Sequence, residues 1–172
     1  MTEPLFDTAQ FRAVCSQFPT GVTAVTAIDA DGECAALTVN SFTSVSLEPA
    51  QVLFCIGTSA SSYPLISRAT RVAVHVLRQD QEEIARRFAT SGVTAAEKLA
   101  GVSWSAGPGG VPVLPDTSAT LLGTVGDRIH SGDHVIVLLD VDHVDLKPSP
   151  LSALAFYQGR FAAPVGPVAP TA

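Results

Sequence analysis

The sequence predicts a β-rich α+β domain, and three observations carry that prediction. Apolar runs of strand length recur along the chain, most clearly at residues 51–56 and 71–77. Thirteen glycines and twelve prolines lie scattered between the runs, as in a fold with many turns. Of the 172 residues, 47% are hydrophobic, enough for one domain with a buried core. No repeat or linker divides the chain. The domain is expected over residues 8–162, and the Pro/Ala-rich, uncharged residues 163–172 are expected to form a disordered tail.

The elements follow in order. Asp7 can cap a helix whose apolar positions Phe11, Val14, Cys15 and Phe18 recur at helical spacing, and Pro19 ends it. Residues 21–27 then form a strand, residues 29–32 (Asp-Ala-Asp-Gly) a turn, and residues 33–39 a second strand. The run 51–56 is short and apolar enough to be a buried strand. Between these strands, residues 38–46 carry five hydroxyls and one amide in nine positions. Two readings stand for this stretch. It is a serine-rich turn that satisfies itself, or its side chains bond their own backbone and free main-chain N–H groups for an uncharged polar ligand edge.

A second hydroxyl cluster, residues 58–62, leads into a short helix at 63–68, as a phosphate cradle or a plain serine cap. In the strand 71–77, Val72, Val74 and Val76 share one face, and His75 on the other is read as structural. Residues 79–89 predict an amphipathic helix with Ile84, Ala85 and Phe88 inward. A helical turn at 95–100 and a Gly/Pro loop at 103–115 around Trp104 follow. Long strands at 119–129 and 135–144 are joined by a hairpin at 130–134, and residues 155–161 end the ordered part.

Composition excludes several functions. A net charge of −6 with only 15% charged residues gives no nucleic-acid footprint. No apolar run approaches the ~20 residues of a membrane span, and Met1-Thr2-Glu3-Pro4 does not begin a signal peptide. Cys15, Cys34 and Cys55 are odd in number and set among apolar neighbours, as expected of buried reduced thiols in a cytoplasmic protein. The low charge and high apolar content also favour an oligomer. No P-loop lysine motif, HExxH, CxxC or GxSxG is present, and Gly107-Pro108-Gly109-Gly110 lacks the context of a dinucleotide fingerprint. So many placed hydroxyls with so few acids and bases suit a protein that holds a cofactor, for which hydride transfer is a natural chemistry.

One ordered series of motifs is more specific. It runs from Phe11-Arg12 through Phe18-Pro19-Thr20-Gly21-Val22-Thr23 to residues 37–49 (LTVNSFTSVSLEP). Val74-His75-Val76-Leu77 with Asp80-Gln81, Phe88-Ala89, Gly101-Val102 and Gly132-Asp133-His134 follow, and Tyr157-Gln158-Gly159-Arg160-Phe161 closes it. Over residues 11–161 the chain thus resembles the short-chain flavin reductases, the reductase partners of two-component flavin-dependent monooxygenases.

The resemblance implies an FMN-binding split β-barrel with a few flanking helices. It also implies a homodimer with the site at its interface, FMN or FAD as flavin, and NADH or NADPH as reductant. By the same resemblance Thr38, Val39, Asn40 and Ser41 line the ring edge, supported by Ser44 and Ser46. Cys55, Ile56, Gly57, Thr58, Ser59, Ser61 and Ser62 run beside the ribityl chain and phosphate. Thr20, Phe88, Tyr157 and Arg160 also fall to the cofactor, and His134, as the catalytic residue, meets the nicotinamide. Ala36 stands where the family usually has glycine, which would crowd a close backbone approach, and Gly123 where it often has cysteine. The implied function is an NAD(P)H:flavin oxidoreductase that passes reduced flavin to a separate monooxygenase, without nucleic-acid or membrane partners. A non-catalytic flavin carrier and a stand-alone FMN oxidase are the alternatives on the same scaffold.

Overall fold

A computed structural model describes residues 5–147 and 152–164; most of the expected tail lies outside them. The first helix, α1 (Thr8–Cys15), starts at the expected cap. Asp7 accepts from Gln10 N at 2.7 Å, and Gln10 Oε1 accepts from Asp7 N at 3.1 Å. Its apolar face is not buried against the domain. Phe11, Val14 and Phe18 are 55%, 72% and 74% exposed, and Phe6 stacks on Phe11. Helical spacing identifies the face of a helix, not what covers it.

The remaining elements, in chain order, are β1 (Thr20–Gly21), β2 (Thr23–Ile28), β3 (Cys34–Val39), β4 (Thr43–Leu47) and β5 (Ala50–Gly57). Next come α2 (Tyr63–Ile66), β6 (Arg71–Val76), α3 (Glu82–Ala89), α4 (Ala95–Leu99), β7 (Ser105–Ala106) and β8 (Pro112–Val113). The chain finishes with β9 (Ala119–Ser131), β10 (His134–Leu146), β11 (Ala155–Tyr157) and β12 (Arg160–Ala162). The main sheet has seven antiparallel strands in the order β3-β2-β6-β9-β10-β5-β4, and a small sheet has the order β1-β11-β12. With few, short helices, the architecture is β-rich α+β.

The main sheet curves so that its two ends share one core. Val25 of β2, Leu37 of β3, Phe54 of β5, Val72 of β6 and Leu139 of β10 meet there, with Leu65 and Ile66 of α2 packed on them. Each such side chain contributes roughly 1.5–3 kcal/mol by leaving water. On the other face, Ala24, Ala36 and Leu77 pack against Ala85 and Phe88 of α3 and Leu99 of α4. The strands β2 and β6 are therefore covered on both faces, and His75 is fully buried. Its ring nitrogens lie 3.2 Å from Thr26 Oγ1 and 3.1 Å from Thr120 Oγ1, which gives it a structural role.

Two expectations need correction. The stretch 38–46 is not one connection, because residues 43–47 form β4, paired with β5 around a bulge between Ser44 and Ser46. An edge strand facing solvent needs no apolar run, so its polarity hid it. The cysteines are free but not buried: Cys15 is exposed, and Cys34 and Cys55 are half-buried.

Candidate functional site

A cavity of about 410 Å³ opens where β3 and β5 end. Leu37 to Ser41 form one wall, Cys55 to Gly57 with Ser59 to Ser61 a second, and Phe88 to Gly92 at the end of α3 a third. Lys98 from α4 and His134 from the start of β10 complete it. The walls are tied together by hydroxyls. Thr38 Oγ1 donates to Ala85 O at 2.8 Å, joining β3 to α3. Ser41 Oγ accepts from Cys55 N at 2.8 Å and donates to Cys55 O at 3.3 Å, so its hydroxyl fastens the turn to β5. Asn40, beside it, is exposed toward the cavity. Ser61 Oγ donates to Val93 O at 2.7 Å, linking the second hydroxyl cluster to the loop after α3.

Lys98 is the feature the sequence did not mark. Its side chain is 4% exposed, and its ammonium donates to Ser62 Oγ at 3.4 Å. Burial lowers its pKa. Among the described residues it forms no ion pair. A buried cation without an anion is costly unless something else meets it. The only signal in the sequence was slight: it is one of just two lysines, placed beside apolar Leu99 in a helical turn.

His134 pairs across β10 with Gly57 of β5. Its Nδ1 lies 2.8 Å from Asp133 Oδ1, an interaction that lowers the Asp133 pKa. Its ring stays half exposed at the cavity, with Nε2 3.6 Å from where a Cβ on Gly57 would stand. Thr58 fixes this corner through its N–H and hydroxyl, which donate to Asp133 O at 2.9 and 3.2 Å.

The sequence-predicted residues divide by place. Thr38, Val39, Asn40, Ser41, Cys55, Ile56, Gly57, Ser59, Ser61, Phe88 and His134 all line this cavity. Thr58 and Ser62 lie just behind its wall; Ser62 is fully buried, and its hydroxyl donates to Ala36 O at 2.6 Å. Ser62 therefore makes no side-chain cap on α2, a helix of only four residues. Ser44 and Ser46 sit on the edge strand β4, outside the lining. Thr20 and Tyr157 line a different, largely apolar cleft, and Arg160 is exposed on β12. The Thr20 hydroxyl is buried there without a partner among the described residues. Ala36 is buried in the core and does not line the cavity, so its methyl leaves the close approach open. The loop 90–92 joins the lining without having been singled out.

A lining rich in hydroxyls with one amide, and a buried cation that forms no ion pair among the described residues, fit a planar polar ring carrying a phosphate. The chain belongs to the flavin reductase like domain family, whose model matches residues 15–164. It is 36% identical over 164 residues to a Rhizobium meliloti (strain 1021) protein named "Probable flavin reductase", covering 95% of this chain. The chain spans only about half (51%) of that relative's length. It is 33% identical over 159 residues to the "Flavin-dependent monooxygenase, reductase subunit HsaB" of Mycobacterium tuberculosis (strain ATCC 25618 / H37Rv), covering 90% of this chain and 81% of the relative. The solved structure of the Streptomyces globisporus NADH:FAD oxidoreductase SgcE6 in complex with NAD and FAD fragments superposes with a TM-score of 0.84 at 34% identity, covering 96% and 98% of the two chains.

Proposed function

We propose that the chain is an NAD(P)H:flavin oxidoreductase that reduces FMN or FAD and releases reduced flavin to a separate monooxygenase. The cavity carries this reading, with Lys98 buried and, among the described residues, without an ion pair at a lining that also brings Thr38, Asn40, Ser41, Ser59, Ser61 and His134 together. Bound flavin supplies the hydride acceptor, and NADH or NADPH the hydride. The chain's own residues do the rest. The backbone and amide at Asn40 meet the ring edge, while Ser41 holds that turn against β5. Phe88, fully buried in the core, backs the cavity from behind, Ser59 and Ser61 run beside the ribityl chain, and Lys98 offers its ammonium to the phosphate. His134, steadied by Asp133, stands where it can orient the nicotinamide and keep its carboxamide hydrogen-bonded.

The finer architecture is read as a split β-barrel, supported by the curvature that brings both ends of the main sheet into one core. A homodimer is supported by the exposed apolar side chains of α1 and of the strand ends, among them Phe11, Val14, Phe18, Leu47 and Leu146. Thr20, Tyr157 and Arg160 then serve the cofactor from across that interface, since they do not line the cavity of their own chain. Three free thiols fit the cytoplasm. Anaerobic mixing of the protein and flavin with NADH or NADPH tests the activity. The flavin absorbance should bleach at a rate proportional to enzyme, and bleaching no faster than without protein would refute it.

A further inference from the structure

Arg87 stands on the outer side of α3 and takes no part in the cavity lining. Its guanidinium nevertheless controls the element that carries Lys98. Nε donates to Lys98 O at 2.8 Å, and Nη2 donates to Glu97 O at 3.0 Å and to Ala100 O. All three acceptors are carbonyls at the C-terminal end of α4. The last carbonyls of any helix lack partners within it, and a cation there also meets the negative end of the helix dipole.

Five residues are too few for a helix to persist by propensity. Its N-terminus is closed by a local box, in which Glu97 N donates to Thr94 Oγ1 at 3.2 Å and Thr94 N donates to Glu97 Oε2 at 2.8 Å. Bonds within the element fix its shape but not its position. Ala95 packs against one core cluster and Leu99 is buried in the other, which seats the helix on the sheet. The three carbonyls gripped by Arg87 add the polar hold on its C-terminal end. Lys98 extends from the middle of this grip, so a small rotation at its Cα becomes a large displacement at Nζ.

We infer that Arg87 is a positioning residue for flavin-phosphate recognition: its fork on the Glu97, Lys98 and Ala100 carbonyls sets the angle at which α4 presents the Lys98 ammonium to the cavity. The inference rests on the reading that Lys98 meets the phosphate. Lysine cannot replace Arg87, because its ammonium is a single point and cannot bridge three carbonyls in one plane. Arg87 and Lys98 thus act as one unit, and the phosphate is the part of the flavin they discriminate.

Fluorescence titration of the full chain with FMN and with riboflavin, which lacks the phosphate, tests this. Arg87→Lys and Arg87→Met are compared with Lys98→Met and the double variant Arg87→Lys/Lys98→Met, with circular dichroism confirming that each is folded. The FMN Kd should rise about tenfold in both Arg87 variants, the scale of one charge-assisted bond, while the riboflavin Kd shifts by less than about twofold. In the Lys98→Met background, Arg87→Lys should add no further loss of FMN binding. Equal weakening of FMN and riboflavin would make Arg87 a merely structural residue and overturn the inference. So would unchanged FMN binding in the Arg87 variants alongside a loss in Lys98→Met. Unchanged FMN binding in Lys98→Met would instead remove the phosphate reading itself, and the inference with it.

Discussion

The Lys98 ammonium donates to Ser62 Oγ at 3.4 Å, and the Ser62 hydroxyl in turn donates to Ala36 O at 2.6 Å. One buried hydroxyl therefore serves a cation on one side and a strand carbonyl on the other. Ser62→Ala should strand both, at a cost of about 1–3 kcal/mol in stability. Urea unfolding measures this, and a midpoint equal to wild type would show that neither bond matters.

Gly123 needs to be glycine. A Cβ there would stand 2.1 Å from Asp140 O and 3.0 Å from Val141 Cα, in the paired core of β9 and β10. Gly123→Cys should cost more than about 2 kcal/mol because the clash is with backbone and cannot be relieved by a rotamer change. Thermal unfolding checks it; a Tm unchanged within a degree or so, about the reach of a few tenths of a kcal/mol, would contradict it.

Burial pushes the pKa of His75 down from 6.5 to about 4. The unfolded chain therefore binds a proton at this residue before the folded one does. Stability from this residue is complete above pH 6.5, declines as pH falls toward 4, and does not change further below that. The total loss is about 3 kcal/mol. His75→Gln keeps a polar group near Thr26 and Thr120 but does not titrate. Its unfolding free energy, followed from pH 7 to 4, should lack this component; a decline as steep as wild type would assign the acid sensitivity elsewhere.

His134 faces the cavity from the start of β10 and is steadied by Asp133. His134→Ala should raise KM for NADH or NADPH, or lower kcat, while oxidised flavin binds as in wild type. A removed positioning contact costs on the order of tenfold in kcat/KM. Steady-state kinetics with both nucleotides decide it, and wild-type kcat/KM for both would leave His134 as part of an ordinary turn.

Most of the sheet was legible because its strands are apolar on the scale at which periodicity works. The sheet runs from β2 to β6 and through the long β9–β10 hairpin, and each of these strands was readable as a strand. The wall from Thr38 to Ser41 was legible because hydroxyls and an amide crowd between two buried strands. What escaped was set by tertiary position. β4 is polar because it is an edge, and the apolar side chains of α1 are not covered by the rest of the chain. Lys98 looks like a surface lysine until α4 folds it against Ser62, and the grip of Arg87 joins residues whose role depends on where α4 packs.

If this cavity binds flavin as a substrate to be reduced by a nicotinamide nucleotide, steady-state oxidation of NADH and NADPH under air, with FMN or FAD as the varied substrate, will show it. Nucleotide oxidation should saturate with flavin and scale with enzyme, from a protein purified almost colourless. A folded protein that binds flavin yet oxidises neither nucleotide with either flavin would contradict it and leave a carrier in its place.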